Sequence, residues 1–589
     1  MDIDSKKTWS ITDLPDELIA MVLHKIKYND VIAFGITCKR FSDVVFNNQH
    51  LWKTKCLEVL PHQIIKSILK YSNGNWFNHL KEFIDLKNNI ITELLALSPK
   101  FYCEGFFFYR RMNQLTMEDS LKFFTIATKD ELSYYYTVHV LQQVIKNAIK
   151  NLNQNICEKP HTLTEQHYAK VVLRYLMHTY LGIKWARLHK AQSFNGPPIH
   201  PELVLNFCVQ WIDPAHYYSD ERIADVLNEV VENVKDVIHH CRKSPQVEKK
   251  KITEREILSA VSQVLYGQKR IAITSAADLD TLNIVKVLTK KCGHAVAMAA
   301  IYHAVARKCG VNIKLIAFPN HLFLEWVDDL SPNKLYTISL DTGELKAKRR
   351  CPFSQVNEHT NYSYCSHSFL KYIYSNYLGT MGAIRNWNVQ NCQHLLNFLG
   401  ASDSYQNPYK NVFAYLIEIP EISAPDRPLN ILYLENFYRE IILSLTSLNA
   451  GCISESVNPR EGNLKSKEHD KNVLYAVGMI CYHKKYQYTC IIRDWDLSGD
   501  RLEISDDNVS RKQPFYSVTA ADHSERYVAQ ENLINLPQPS RLYHLEDQIS
   551  KDFCHFDGFA YVLNYEKRIQ YPDEALIIEM YRNHSFTRA

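Results

Sequence analysis

The stretch Cys292–Trp326, CGHAVAMAAIYHAVARKCGVNIKLIAFPNHLFLEW, changes its hydrophobic rhythm halfway along. Its first half, through Gly310, is helix-sized. Its second half breaks into the short β-rich runs Ile313–Phe318 and His321–Trp326, and a further run, Leu335–Leu340, follows. A helix followed by strands predicts an α+β domain. Upstream the pattern is helical. Pro201–Leu288 reads as helices interrupted by a solvated charged loop at Glu248–Lys251, and the turn signal Asn195-Gly196-Pro197-Pro198 precedes it. Between residues 58 and 188 further helices are predicted, among them Tyr134–Ile149 and Tyr168–Leu181. At the N-terminus Leu14, Leu18, Val22, Leu23 and Ile26 recur at helical steps, with Asp13 placed to cap a helix ahead of Leu14 and Pro15. Downstream, a polar linker over Ser447–Asn472 leads into Val473–Ile534, which alternates like a small β-barrel at Tyr475, Val477 and Met479 and then through Thr489–Trp495.

These shifts divide the 589 residues into 10–57, 58–195, 196–400, 401–472 (a helical segment and the polar linker) and 473–589. The length agrees with three or four domains at roughly 150 residues each. Lysine plus arginine number 68 against 64 acidic residues, so the net charge of +4 lacks the strongly basic signature of a chain built around nucleic acid. With 46% hydrophobic residues and only 17 glycines, neither a mainly disordered nor a collagen-like chain fits. The 15 cysteines are an odd number with no CxxC pair, which predicts reduced thiols in an intracellular compartment, cytoplasmic or nuclear. Neither a signal peptide nor a membrane span is predicted, and no metal or cofactor is expected.

Three motif sets carry resemblances. Leu14-Pro15-Asp16-Glu17-Leu18, then Val22-Leu23, Val31, Cys38-Lys39-Arg40-Phe41 and Leu51-Trp52, resemble the F-box along its whole length. Such a module is too small to stabilise itself well and offers an apolar surface to a partner helix. The resemblance implies docking on the Skp1 adaptor, and through it on cullin-1 and a RING subunit, with Leu14, Pro15, Leu18, Leu51 and Trp52 as the contact positions. The plainer reading makes these the core leucines of an N-terminal bundle.

In the centre, Asp280–Leu288, Cys292-Gly293-His294-Ala295, the helix ending at Gly310 and Phe318-Pro319-Asn320-His321 resemble the SirB1-like branch of the transglutaminase-like superfamily. That resemblance implies a papain-like α+β fold with a cysteine nucleophile at a helix N-terminus, a histidine on a following strand and a carboxylate on the next. A helix N-terminus and a nearby histidine both favour the thiolate. His321 and Asp341 fit the latter two positions, but registering the helix on Gly310-Val311 puts Ala295 at the nucleophile position. Cys292, three residues earlier, is displaced by one helical turn of about 5 Å, beyond hydrogen-bond reach of roughly 3 Å. The expectation is a pseudoenzyme whose cleft near Phe318, His321 and Trp326 recognises a protein; an active thiol enzyme using Cys292 stays open.

Near the C-terminus, Tyr475–Ile480, Tyr482–Tyr488, Ile492–Asp496, Gln513–Tyr516, Ser524–Leu533 and Phe556-Asp557-Gly558 resemble the YccV-like domain, called hemimethylated-DNA-binding in bacteria. Gly478 suits a tight turn, and Trp495 and Tyr527 suit a small barrel interior. From Val473 to Ala589 there are 13 lysines and arginines against 17 acidic residues, a difference of −4, the wrong sign for a phosphate-binding surface. A local patch of Lys484, Lys485 and Arg493 around Tyr486 and Tyr488 keeps a DNA-binding regulator as the second alternative. The favoured expectation is client contact through Tyr486, Trp495 and Tyr527. Taken together, the resemblances imply a substrate receptor of a Skp1-cullin-F-box ubiquitin ligase that captures unidentified client proteins without catalytic residues of its own. The run Lys346–Arg350 reads either as a localisation patch or as a solvated edge.

Overall fold

A capping box opens the described chain: Ser10 and Asp13 cap each other's backbone across the short turn Ile11–Asp13. Asp13 therefore does not cap the first long helix. That helix, α1 (Asp16–Leu23), begins after Pro15, whose ring cannot donate the hydrogen bond a helix interior needs. Three more helices follow, α2 (Tyr28–Gly35), α3 (Lys39–Phe46) and α4 (Gln49–Val59), then the long α5 (Trp76–Phe101) and α6 (Glu131–Lys150). The computed structural model describes chiefly residues 10–61, 75–101, 131–150, 162–193, 199–212, 220–242, 252–347, 464–466, 472–497 and 513–586, apart from a few positions inside those ranges. It divides into two compact units, residues 1–97 with 121–143, and residues 98–120 with 144–589.

In the first unit, Val31, Val45, Leu51 and Trp52 are completely buried. The indole N–H of Trp52 donates to the Val45 carbonyl at 2.8 Å, and Phe77 lies 4.8 Å from the Trp52 ring centroid. Lys55 is also buried, and its ammonium donates to the carbonyls of His24 and Ile26 and to Glu58. A buried cation here satisfies carbonyls that the end of α1 leaves without helical partners.

The second unit begins with α7 (Leu163–Ser193), α8 (Pro201–Ile212), α9 (Asp220–Arg242) and α10 (Glu254–Ser262), the last capped reciprocally by Thr253 and Glu256. Strand β1 (Ala272–Thr274) pairs in parallel with β2 (Cys292–His294) across the short helices α11 (Leu279–Leu282) and α12 (Ile284–Lys290). Next comes α13 (Ala295–Lys308), in which every residue from Val296 to Tyr302 is buried. Alanines and one methionine around its whole circumference let α8, α9, α10 and a sheet pack on it, as expected of a helix apolar on all sides. It stops at Gly310, whose φ of +88° turns the chain so that the Val311 N–H reaches the Ala306 carbonyl at 2.9 Å. The sheet is antiparallel, with β3 (Lys314–Phe318), β4 (His321–Val327), β5 (Leu335–Ile338) and β6 (Leu345–Ala347) in sequence order.

The C-terminal part is strand-rich, as the alternation predicts. Strands β7 (Ile480–His483), β8 (Thr489–Asp496), β9 (Phe515–Ala520), β10 (Glu525–Ala529) and β11 (Leu533–Asn535) form one antiparallel sheet in the order β10-β9-β8-β7-β11. Helix α14 (Glu546–Ile549), the hairpin of β12 (Phe553–Phe556) and β13 (Tyr561–Leu563), and helices α15 (Tyr565–Gln570) and α16 (Glu574–Phe586) complete it. Tyr475 and Val477 belong not to a strand but to the turn that enters β7, and Met479 makes a single antiparallel bridge to Ala560. Gly478 has φ +94° in that turn, and a Cβ would collide with the Tyr561 carbonyl oxygen. Helix α7 contributes to this core as well: Leu163 is buried in it, and the Thr164 hydroxyl donates to the Phe553 carbonyl at 3.1 Å.

The turn at residues 195–198, the charged run 248–251, residues 348–350 of the basic patch and nearly all of 401–472 lie outside the described residues. Among the described residues, no helix is long and apolar enough to cross a membrane.

Candidate functional site

The N-terminal motif separates into a face and a core. On α1, Ile19 and Leu23 point inward and are buried, while Leu18, Met21 and Val22 are 46%, 65% and 54% exposed and form a second apolar stripe on the opposite side. Ile11, on the preceding turn, is 49% exposed. Pro15 is exposed and Leu14 half-buried. Leu51 and Trp52 lie inside, against their assignment as contact positions, because their helix turns them onto α3 and Phe77. They hold the face from behind. Arg40, in the Cys38–Phe41 motif, binds the carbonyls of Thr12 and Leu14 and the Asp16 carboxylate, which fastens the exposed turn to α3.

In the central domain Ala295 is the first residue of α13, and His294 caps the helix by accepting the Val296 N–H at Nδ1, 3.3 Å away. Burial pushes the His294 imidazole below its ordinary pKa, which favours the neutral ring that this contact needs. Cys292 sits on β2, paired with Ala272, ahead of the helix. His321 opens β4 and Phe318 closes β3 opposite it; the side chains of both lie outside the described residues. Asp341 is exposed in the turn after β5 rather than on a strand. The β4–β5 ladder ends at Leu324 and Ile338, before the turn that carries Asp341, so it does not pair Asp341 with His321. Trp326 is only 1% exposed and donates to Glu254 at 2.7 Å, so it belongs to the packing between β4 and α10 and not to an open cleft. Cys309 is the half-buried C-cap of α13.

In the C-terminal domain a β-bulge between Ile492 and Asp494 turns Arg493 inward. Its guanidinium is 1% exposed and pairs with Asp552, so the expected basic patch with Lys484 and Lys485 loses one of its three cations. Tyr486 is 62% exposed beside Lys485. Tyr488 is covered by the Arg526 guanidinium, 4.1 Å from its ring centroid. Trp495 is buried, donating to Glu574 at 2.9 Å. Tyr527 stacks on Phe515 and donates to Asp496 at 3.0 Å. Of the three expected client contacts, only Tyr486 stands clear of the surface.

Family models match three successive segments: F-box-like over residues 11–58, transglutaminase-like superfamily over 221–358, and hemimethylated DNA-binding protein YccV like over 473–559. The chain is similar to F-box only protein 21 along nearly its whole length. The mouse (Mus musculus) protein is 24% identical over 616 aligned positions, covering 96% of this chain and 92% of the relative, and the human (Homo sapiens) protein is 23% identical over the same shares. No solved structure matches.

Within the F-box-like segment, sequence reasoning missed Ile11 and Met21, and it quoted Arg40 as part of the motif without its fastening role. A helical wheel would have found Met21 beside Leu18, whereas the Arg40 contacts are 24 to 28 residues distant in sequence and have no local signal. In the YccV-like segment it missed Asp552, the partner that makes Arg493 a core residue. The thiols described as buried are poorly disposed to react: burial pushes Cys56, Cys208 and Cys490 up to about 12. Among the described residues, no three histidine, cysteine or acidic side chains converge as metal ligands.

Proposed function

We propose that this chain is the substrate-recognition subunit of a Skp1-cullin-F-box ubiquitin ligase. The observation that carries the reading is the outward stripe of Leu18, Met21 and Val22 on a helix whose other stripe is already buried. A short helix apolar on both sides is supported on only one of them by its own chain, and the other fits a partner helix. In this reading residues 10–57 hold Skp1, and through it cullin-1 and the RING subunit, inside the cell. Residues 196–400 and 473–589 hold the client. Ubiquitin transfer to client lysines, and degradation after it, then depends on proximity: a lysine kept near the E2 thioester has a raised effective concentration and needs no acid or base from this chain.

A non-catalytic transglutaminase-like domain is part of the proposal. It is supported by Ala295 at the first position of α13 and by Cys292 on a strand before it. The −4 charge of residues 473–589 and the inward Arg493 favour protein over DNA as the ligand of the YccV-like domain.

The test is co-purification of the full chain with Skp1. Leu18→Asp with Val22→Asp should abolish it while leaving the helical circular-dichroism signal unchanged, since both side chains are exposed. Retention of Skp1 by the folded double variant would refute the proposal.

A further inference from the structure

The segment Leu464–Ser466 lies against the YccV-like domain, ahead of its first strand. The Lys465 N–H donates to the Gln570 carbonyl at 2.9 Å, and the Ser466 hydroxyl donates to Asp573 at 2.7 Å. Between these anchors the Lys465 side chain enters a pocket. Its ammonium donates to Asp494 Oδ1 at 2.6 Å, to the Trp495 carbonyl at 2.6 Å and to Asp496 Oδ1 at 3.2 Å. It also lies 5.5 Å from the Trp495 ring centroid and 5.9 Å from that of Tyr571. An ammonium has three protons to donate, and this pocket offers three oxygens with two aromatic rings beside them.

The pocket walls are held by groups other than Lys465. Asp494 accepts from the Tyr571 hydroxyl and, at 2.7 Å, from the Trp495 N–H. Asp496 accepts from Tyr527 at 3.0 Å, and the Trp495 indole is fixed by Glu574. The bulge before Asp494 sets the register that brings both carboxylates, two residues apart, to one ammonium. Burial works against ionisation of Asp494, but the charges of Lys465 and Lys567 and the hydrogen bonds from Lys465 and Tyr571 outweigh it and hold the carboxyl below its usual pKa. The side chains of Asp494, Asp496 and Lys465 are 15%, 19% and 20% exposed, so the pocket opens to solvent.

We propose that this is a recognition pocket for an unmodified lysine side chain of a bound protein, and that Lys465 occupies it as an internal stand-in. Two carboxylates, a carbonyl and an aromatic wall select a primary ammonium over a neutral amide, since an acetylated lysine has neither the charge nor three donors. A tethered lysine competes as a local concentration in the millimolar range, which a client lysine presented by a larger interface can exceed. The inference does not depend on the ubiquitin-ligase reading.

The test uses the full chain with Lys465→Ala and the probe Nα-acetyl-lysine methylamide, followed by Trp fluorescence and thermal unfolding. The vacated pocket should bind the probe at least tenfold more tightly than wild type and recover thermal stability with it. The response should vanish when Asp494→Asn and Asp496→Asn are added, and the Nε-acetylated probe should give none. Equal affinity of variant and wild type, no binding by either, or an equal response to the acetylated probe would overturn the proposal. Lys465→Gln gives the same comparison if Lys465→Ala does not fold.

Discussion

Two buried charged or ionisable groups set the residue-scale behaviour of the YccV-like domain. Arg493 and Asp552 form an ion pair deep in the core, and removing one partner strands the other. Arg493→Met should therefore destabilise the domain by about 3–5 kcal/mol, with much of the loss recovered in Arg493→Met with Asp552→Leu; urea unfolding of the four-member cycle measures it. Additive single effects would mean that the pair is not coupled. His167 of α7 is the second group. Burial, followed by the charges of Lys551 and Lys170 against those of Asp547 and Asp552, drives its pKa down to about 3, and the Ser550 hydroxyl faces its Nδ1 at 3.3 Å. A histidine whose folded pKa lies below its unfolded value of about 6.5 stabilises the fold above pH 6.5 and loses that contribution as pH falls toward 3, at up to about 1.4 kcal/mol per pH unit. His167→Asn should flatten the decline in melting temperature between pH 6.5 and 4; an unchanged slope would show that the ring is not buried neutral.

At the scale of elements, the same apolar residue types serve opposite ends according to the face they occupy. Trp52→Ala should cost about 3–5 kcal/mol because it empties the core of the F-box-like segment, whereas Leu18→Asp should leave stability nearly unchanged while removing Skp1. Glycines differ by context in the same way. Gly310→Ala forces a left-handed backbone in open space and should cost about 1 kcal/mol. Gly478→Ala adds a collision with the Tyr561 carbonyl and should cost about 2–4 kcal/mol. Thermal unfolding of the two variants separates strain from strain plus overlap, and equal losses would contradict the packing at Gly478.

For the whole molecule, the reactivity of its thiols tests the adaptor reading against a thiol enzyme. Cys38 and Cys241 are exposed, and Cys292 is half-exposed on a strand. Iodoacetamide at neutral pH should label Cys292 no faster than Cys38 or Cys241, read by peptide mass spectrometry. Selective labelling of Cys292 that His321→Ala abolishes would restore the enzymatic reading. Much of the molecular plan was legible in sequence because its signals are local: the change of period after Gly310, the alternation after Val473, and the spacing of the N-terminal motif. Parts of the candidate site were not. Trp326 looked like a cleft aromatic because the pattern of a strand does not say which face a helix covers. Lys465 looked like one more charge in a polar linker because its partners lie 29 to 31 residues away.

The sequence by itself determined the order of helical and strand-rich domains, the alanine at the helix start and the negative balance of the last module, since periodicity, identity and charge count need no third dimension. Only the tertiary structure decided which leucines of the N-terminal motif face outward, that one bulge sends Arg493 into the core, and that two carboxylates and two rings meet one lysine. Each of those outcomes depends on register and on long-range packing, and a shift of a single residue in a strand exchanges its inner and outer faces.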